Sequence, residues 1–381
     1  MINEIKYVIS YSYSHLHSSS GARVRLLNSK YLKNDNWTII TSKLSNTKEE
    51  NVTSINNFVD NLFKPISYSN TISKRSIKKI FGKILWPDRG IFWSSKIFFL
   101  LLIKILNSNN KYKLVGVGYP FSSILCAATL KFFFRKRIKF TAHFIDGFSL
   151  VSNKTIDRIA ESFVLKNADH IIVCIDKENE FKKIFKQYCN KVTFVPTMIG
   201  IDVSNHTIPS TYNIRNKHFF GGSLYKNIRN PEKVFEIYKH LKNINLTIAG
   251  NANDCIDIVD KSKHIDYIGL VDQSKLINEI ESSDVLINID NQSDNEQSPG
   301  KIVEYMEFQK PILNFYLKKS LSEKILKKYD MSKASLSIDI NENISENINK
   351  IRNFQEHIKT LTGKLYSTPD TIKQMYDLYN Q

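Results

Sequence analysis

Cysteine is scarce in this chain of 381 residues: Cys126, Cys174, Cys189 and Cys255 are the only four, and none sits in a C-x-x-C pair. Such spacing argues against a zinc site and for free thiols in a reducing compartment. Long apolar runs are missing too. A spanning helix needs about 20 apolar residues, and the stretch from Ile97 to Leu106 is too short. Met1-Ile2-Asn3-Glu4 leads straight into the first expected strand, so no signal peptide is expected. No internal repeat of fixed period occurs, which excludes solenoids and propellers.

Negative charge is nearly absent from one long segment. Between Asn61 and Phe140 there are 16 Lys and Arg against one acid, Asp88, an excess of 15 in a chain whose net charge is +17. The cations interleave with apolar side chains, as in Lys78-Lys79-Ile80-Phe81, Lys83-Ile84-Leu85-Trp86 and Phe132-Phe133-Phe134-Arg135-Lys136-Arg137. A basic face beside exposed aromatics sits on an anionic bilayer without crossing it. The other reading of Ile97–Leu106 is a buried helix. Nucleic acid attracts the same charge, but no nucleic-acid-binding motif is present. An anionic membrane surface, met through the basic 61–140 segment, is therefore the expected partner, and nucleic acid is not.

Strands and helices alternate along the rest of the chain. Ile5 to Ser10 reads as a buried strand, Tyr11 to Ser20 as a polar loop, Gly21 as the opening of a helix, and Trp37 to Thr41 as a second strand. That is a βαβ unit, which implies a parallel sheet with right-handed crossovers. The Ser18-Ser19-Ser20-Gly21 loop lies at the carboxyl end of the first strand, where open α/β sheets bind ligands. The stretch 46–89 looks irregular. Further strands are expected at Leu114–Gly118, Lys139–Ala142, His170–Cys174 and Val192–Val195. His143 stands at the carboxyl end of one of them, where imidazole can hydrogen-bond a hydroxyl or move a proton; a capping or core role is the alternative. A second alternation begins near Tyr212. The expected fold class is α/β, with two doubly wound Rossmann-like domains facing across a cleft. The boundaries expected are 1–200, 201–360, and a C-terminal 361–381 helix that packs back on the first domain.

One stretch of the second half carries most of the chemistry. The apolar strand Val285-Leu286-Ile287-Asn288-Ile289 leads into a polar loop and then Glu296-Gln297-Ser298-Pro299-Gly300-Lys301. Ser298 reads as a helix cap and Pro299 as the first helical residue, and the helix stops before Pro311. Gly300 lets a ligand approach the backbone. An open helix N-terminus after a buried strand attracts phosphate. Glu304 lies two turns along, placed to meet another part of the same ligand. The plainer reading makes Ser298 only a cap and Glu304 a solvated helix residue.

With these residues the second half resembles the retaining, metal-independent glycosyltransferases of the GT-B architecture, in particular the family 4 group that builds bacterial surface polysaccharides. The likeness rests on Phe219-Phe220-Gly221-Gly222-Ser223-Leu224, Leu246-Thr247-Ile248-Ala249-Gly250, Tyr267-Ile268-Gly269-Leu270-Val271, and Ser298-Pro299-Gly300-Lys301 through Glu304 to Lys310-Pro311-Ile312. Glu296 and Glu304 match that family's E-x7-E pattern. The resemblance implies that Glu304 bonds the ribose hydroxyls of a nucleotide and that Glu296 faces the donor sugar. It implies that the backbone at Ser298, Pro299, Gly300 and Lys301 meets the diphosphate, with Gly222 and Ser223 alongside. Arg229 or Lys226 would neutralise the leaving diphosphate; the family commonly has Arg directly after the glycine, where this chain has Ser223. His143 would contact a donor-sugar hydroxyl, and Gly21 would approach the diphosphate or acceptor.

These residues lead to one expectation and two alternatives. The expectation is a metal-independent, retaining glycosyltransferase without cofactor, since there is no Asp-x-Asp donor-metal signature. It would move a sugar from a nucleotide-diphosphate sugar to a lipid-linked or saccharide acceptor, on the cytoplasmic face of the membrane, in capsule, O-antigen or exopolysaccharide synthesis. The first alternative is a sugar-nucleotide 2-epimerase on the same scaffold. The second is a non-enzymatic module that binds through its basic patch.

Overall fold

The computed structural model describes the whole chain except residues 1–2, 15–17, 43–48, 57–84, 119, 146–154, 175–177, 205, 213–214, 293–299 and 318–320. The chain divides into two compact units, Met1–Gly200 with Asp370–Gln381, and Ile201–Pro369.

In the first unit the described strands are β1 (Glu4–Ile9), β2 (Trp37–Ser42), β3 (Val52–Ile55), β4 (Lys111–Val117), β5 (Ile138–Phe144), β6 (His170–Cys174) and β7 (Val192–Val195). They form one sheet in the order β3-β2-β1-β4-β5-β6-β7. Every pair is parallel. The helices are α1 (Ser19–Leu27), α2 (Ile91–Leu106), α3 (Ser122–Phe133), α4 (Thr155–Asn167) and α5 (Glu178–Ile184). Tyr7, Ile9, Leu114, Phe140 and Ala142 pack with Trp93, Ile97, Leu101 and Ile105 of α2 and with Ile124 and Ala127 of α3 in one core. The irregular stretch expected at 46–89 contains β3, whose four half-buried or exposed residues pair with β2 at the sheet edge. So short an edge strand has little apolar pattern to read.

In the second unit the elements are β8 (Lys217–Gly221), α6 (Glu232–Lys239), β9 (Asn245–Ala249), α7 (Ile256–Lys261), β10 (Ile265–Gly269), α8 (Gln273–Ser282), β11 (Val285–Ile289), α9 (Lys301–Glu307), β12 (Ile312–Tyr316), α10 (Leu321–Tyr329), β13 (Ser335–Asp339) and α11 (Ile344–Ile358). The strands order as β10-β9-β8-β11-β12-β13, again all parallel. A polar ladder crosses its interior: Asn288 donates to Asn314 at 2.6 Å, and Asn314 donates to Ser337 at 3.3 Å. These residues are register partners, so each amide is satisfied by the strand beside it.

The last helix, α12 (Thr371–Asn380), belongs to the first unit, but residues 361–369 stay with the second. The expected break at 361 therefore falls later. The reason is Gln309, whose buried side-chain oxygen accepts from the Leu365 and Tyr366 amides at 2.8 and 3.0 Å. Tyr366 in turn donates to the Ala334 carbonyl at 2.8 Å.

Among the described residues each unit buries one histidine, and burial favours its neutral form. His143 and His218 are both pushed down to about 3 by burial, with the Arg23 charge adding to the effect at His143. An unfolded histidine titrates near 6.5, so between pH 6.5 and 3 the unfolded chain binds more protons, and stability falls as the pH falls. Going from neutral pH to pH 5 should cost about 2 kcal/mol for each histidine. Urea unfolding of His218→Gln at both pH values should show a smaller pH dependence than the parent; an unchanged dependence would refute this account.

Candidate functional site

In a doubly wound sheet, ligands bind beyond the carboxyl ends of the strands where the strand order reverses. In the second unit that point lies between β8 and β11. The end of β8 is held open by close backbone packing. Gly222 donates to Ala249 at 2.7 Å, and Gly250 has φ of +146°. A Cβ on Gly250 would lie 2.1 Å from the Gly222 carbonyl oxygen, so no larger residue fits. A Cβ on Gly222 would stand 3.2 Å from Cε of Lys301, which puts that lysine's stem over the strand end. Tyr305, buried on α9, accepts from the Gly221 amide at 2.8 Å and ties the helix to the strand.

Arg229 is brought to this strand end by a tight reversal. The Arg229 amide donates to the Tyr225 carbonyl at 2.7 Å, and the Tyr225 amide returns the bond at 3.3 Å. The guanidinium then donates from Nη1 to the Ser223 carbonyl at 3.1 Å and from Nη2 to Oδ1 of Asn291 at 3.2 Å. Its Nε is buried and has no hydrogen-bond partner among the described residues. Burial draws its pKa down, and the nearby Asp290, Tyr305 and Tyr225 oppose that shift; an arginine nonetheless stays charged. Among the described residues it forms no ion pair within 4 Å; two neutral oxygens fix its position, and the buried Asp290 carboxylate acts on it electrostatically. The loop after β11 is pinned to the same reversal, since the Gln292 amide donates to the Ile228 carbonyl at 2.7 Å. Lys226 differs: its ammonium pairs with Asp257 at 3.1 Å on the exposed surface.

Of the residues proposed from the sequence, Gly222, Ser223, Arg229 and Lys301 come together at one strand end. Glu304 is half-buried in the first turn of α9. That helix starts at Lys301, with Gly300 in the cap position and no side-chain cap bond, two residues later than the Ser-Pro pattern suggests. Glu296, Ser298 and Pro299 lie outside the described residues. Tyr305, Asn291 and Asp290 were not singled out. Tyr305 adjoins Glu304 in sequence, but nothing in the pattern announces that its hydroxyl reaches Gly221.

Gly21 and His143 belong to the first unit. Gly21 opens α1 behind a Ser18 cap, whose hydroxyl accepts from the Gly21 amide at 3.2 Å. A Cβ there would meet the Ser12 carbonyl oxygen at 2.1 Å, so the glycine serves a close approach to the chain's own backbone. His143 is buried, and its Nδ1 lies 2.8 Å from the Tyr379 hydroxyl on α12. Among the described residues no group of three or more His, Cys, Asp or Glu is arranged to hold a metal ion.

The chain has the two-domain GT-B architecture. It superposes with a TM-score of 0.59 on WaaG, a glycosyltransferase involved in lipopolysaccharide biosynthesis, at 11% identity over 98% of this chain and 99% of that one. Anabaena HepE, solved with UDP and glucose, gives 0.59 at 11% identity over 98% and 94%. The UDP-GlcNAc 2-epimerase of Methanocaldococcus jannaschii gives 0.55 at 10% identity over 99% of each chain. No family model and no curated protein matches the sequence.

Removing the Tyr305 hydroxyl should expose how much the site depends on it. Tyr305→Phe leaves the Gly221 amide buried without an acceptor, at a cost of about 2 kcal/mol. A urea midpoint equal to that of the parent would show that the bond does not hold the strand end.

Proposed function

We propose that the protein is a retaining glycosyltransferase that uses a nucleotide-diphosphate sugar and acts on a lipid-linked or saccharide acceptor at the cytoplasmic face of a membrane. The observation that carries this reading is Arg229, a buried guanidinium fixed by hydrogen bonds to the Ser223 carbonyl and Asn291 at a glycine-lined strand end. Breaking a sugar–diphosphate bond develops negative charge on the leaving oxygens, and a preorganised guanidinium stabilises that charge where it forms. The family that the sequence resembles has an arginine directly after the glycine. Here Ser223 occupies that position, and the Arg229 guanidinium rests on the Ser223 carbonyl, so the cation arrives from six residues downstream. In this reading Arg229 supplies the charge that a divalent metal supplies elsewhere, and Glu304 holds the ribose. Solved structures of similar fold that contain UDP with glucose support a nucleotide-sugar donor.

A 2-epimerase remains the second reading, because solved epimerases have the same fold. The surface of the first unit favours a transferase with a membrane-borne acceptor. No described helix is long and apolar enough to cross a membrane. Yet α2 is apolar on two sides: Trp93, Ile97, Leu101 and Ile105 are buried, while Phe99, Ile103 and Leu106 face outward. Ring contacts run from Phe98 beside Phe99 to Phe133 of α3, and from Phe132 to Phe163 of α4. Phe99, Ile103, Leu106, Phe133 and Ile159 are each between 58% and 64% exposed. Arg135 stacks on Phe132, and Lys96 and Lys136 are exposed on these elements and their ends. Apolar side chains edged by cations match an anionic bilayer. Residues 57–84, which hold part of the basic segment, lie outside the described structure.

Two measurements test these halves separately. A thermal-shift screen against UDP-, GDP-, ADP- and dTDP-sugars should find one that raises the melting temperature, and Glu304→Ala should weaken that ligand by about tenfold or more. Equal affinity would remove Glu304 from the site, and conversion of donor alone to its 2-epimer would select the second reading. Flotation with phosphatidylglycerol vesicles should show salt-sensitive binding, weakened about tenfold by Phe99→Ser with Phe133→Ser. Absence of binding, or binding indifferent to the two substitutions, would overturn the membrane face.

A further inference from the structure

Strand β11 ends at Ile289, but its pairing runs one residue further, because the Asp290 amide donates to the Phe315 carbonyl of β12 at 2.9 Å. That bond fixes Asp290 at the strand end, where its side chain is buried. A carboxyl group is rarely buried unless it has polar partners. Oδ1 of Asp290 accepts from the Ser322 hydroxyl at 3.0 Å and from the Asn291 amide at 3.0 Å. Both partners donate, which suits a carboxylate, since it only accepts. Ser322 is itself buried and stands in the first turn of α10, the end of a helix that favours negative charge.

Asn291 joins this carboxylate to the guanidinium. Its backbone amide donates to Asp290, and its side-chain oxygen accepts from Nη2 of Arg229 at 3.2 Å. Contacts therefore run without a break from α10 through Asp290 and Asn291 to Arg229. Burial works against the charge of Arg229, and Asp290 comes first among the groups that oppose this effect. A buried cation and a buried carboxylate are each costly alone, and each offsets the cost of the other. The same carboxylate repels any anion that approaches the guanidinium.

We propose that Asp290 is a positioning residue and the built-in counter-ion of Arg229: anchored by Ser322, it holds the guanidinium at the strand end through Asn291 and limits how tightly the site grips a diphosphate. A free diphosphate carries more negative charge than its sugar ester. The carboxylate therefore loosens the product more than the donor, and so favours release after transfer. The effect on the diphosphate rests on the transferase reading above; the pairing of the two buried charges does not.

The experiment has a binding arm and an unfolding arm. Calorimetric titration with UDP, GDP, ADP and dTDP should find one diphosphate that binds the parent. Asp290→Asn keeps an oxygen for Ser322 and Asn291 but loses the charge, and it should bind that diphosphate about tenfold more tightly. The gain should be smaller for the nucleotide sugar found in the thermal-shift screen. Unchanged or weaker binding of the diphosphate would mean that Asp290 supports only the fold, and an equal gain for the two ligands would overturn selective release. In urea unfolding, Asp290→Asn should lower the midpoint of the parent but not that of Arg229→Gln, where the carboxylate has already lost its cation. Equal losses in both backgrounds would overturn the counter-ion. If Asp290→Asn alone does not fold, recovery on adding Arg229→Gln supports the pairing, and failure of the double variant overturns it. If none of the four diphosphates binds, the transferase reading fails, and the unfolding arm still decides whether Asp290 serves Arg229.

Discussion

In both sheets every strand runs parallel to its neighbours, so each connection must cross back over a sheet face and every carboxyl end opens at the same edge. That arrangement buries the strands on both sides and leaves their ends as the places where polar groups gather. In the second unit the strand order reverses between β8 and β11, and the loops that leave this gap are stitched together through Arg229, Asn291 and Gln292. The glycines of this edge matter through contact distance. Gly250 clears the Gly222 carbonyl, and Gly222 leaves room for the stem of Lys301.

Positive charge is used in two ways. Arg229 is fixed by two neutral oxygens at a strand end, with the buried Asp290 acting on it electrostatically. Several surface lysines of this unit are spent on neighbours, as Lys226 is on Asp257 and Lys217 on Glu279. In the first unit, Lys113 and Lys139 are spent on the end of α12, while Arg135 lies over the exposed Phe132. A high net charge is therefore a poor guide by itself. What each cation touches decides whether it is structural or open to a ligand.

Much of the fold was legible because buried parallel strands are short apolar runs and their helices show a helical period. Val285–Ile289, Leu246–Ala249 and Ile171–Val173 could be read directly. β3 could not, because four partly exposed residues at a sheet edge have no strong pattern. The helix α9 starts at Lys301, and Ser298 and Pro299 lie outside the described residues. The end of the second unit was misplaced because Gln309 recruits Leu365 and Tyr366 through a bond that spans more than fifty positions. Gly222, Ser223, Arg229 and Lys301, named through the family resemblance, stand near one strand end. Tyr305 could not be assigned its role.

The sequence by itself determined the α/β class, the two alternations of strand and helix, the glycine-ended strands and the uneven charge. These are local properties, carried by residue type and spacing. Only the tertiary structure showed that Lys226 pairs with Asp257 while Arg229 bonds the Ser223 carbonyl and Asn291, because those contacts depend on where loops meet. It alone showed that Gly21 makes room for Ser12, that α2 is buried on one side and exposed on the other, and that His143 is bound by Tyr379. Each is a contact between segments distant in the chain, fixed by how helices pack on a sheet, and no local pattern encodes it.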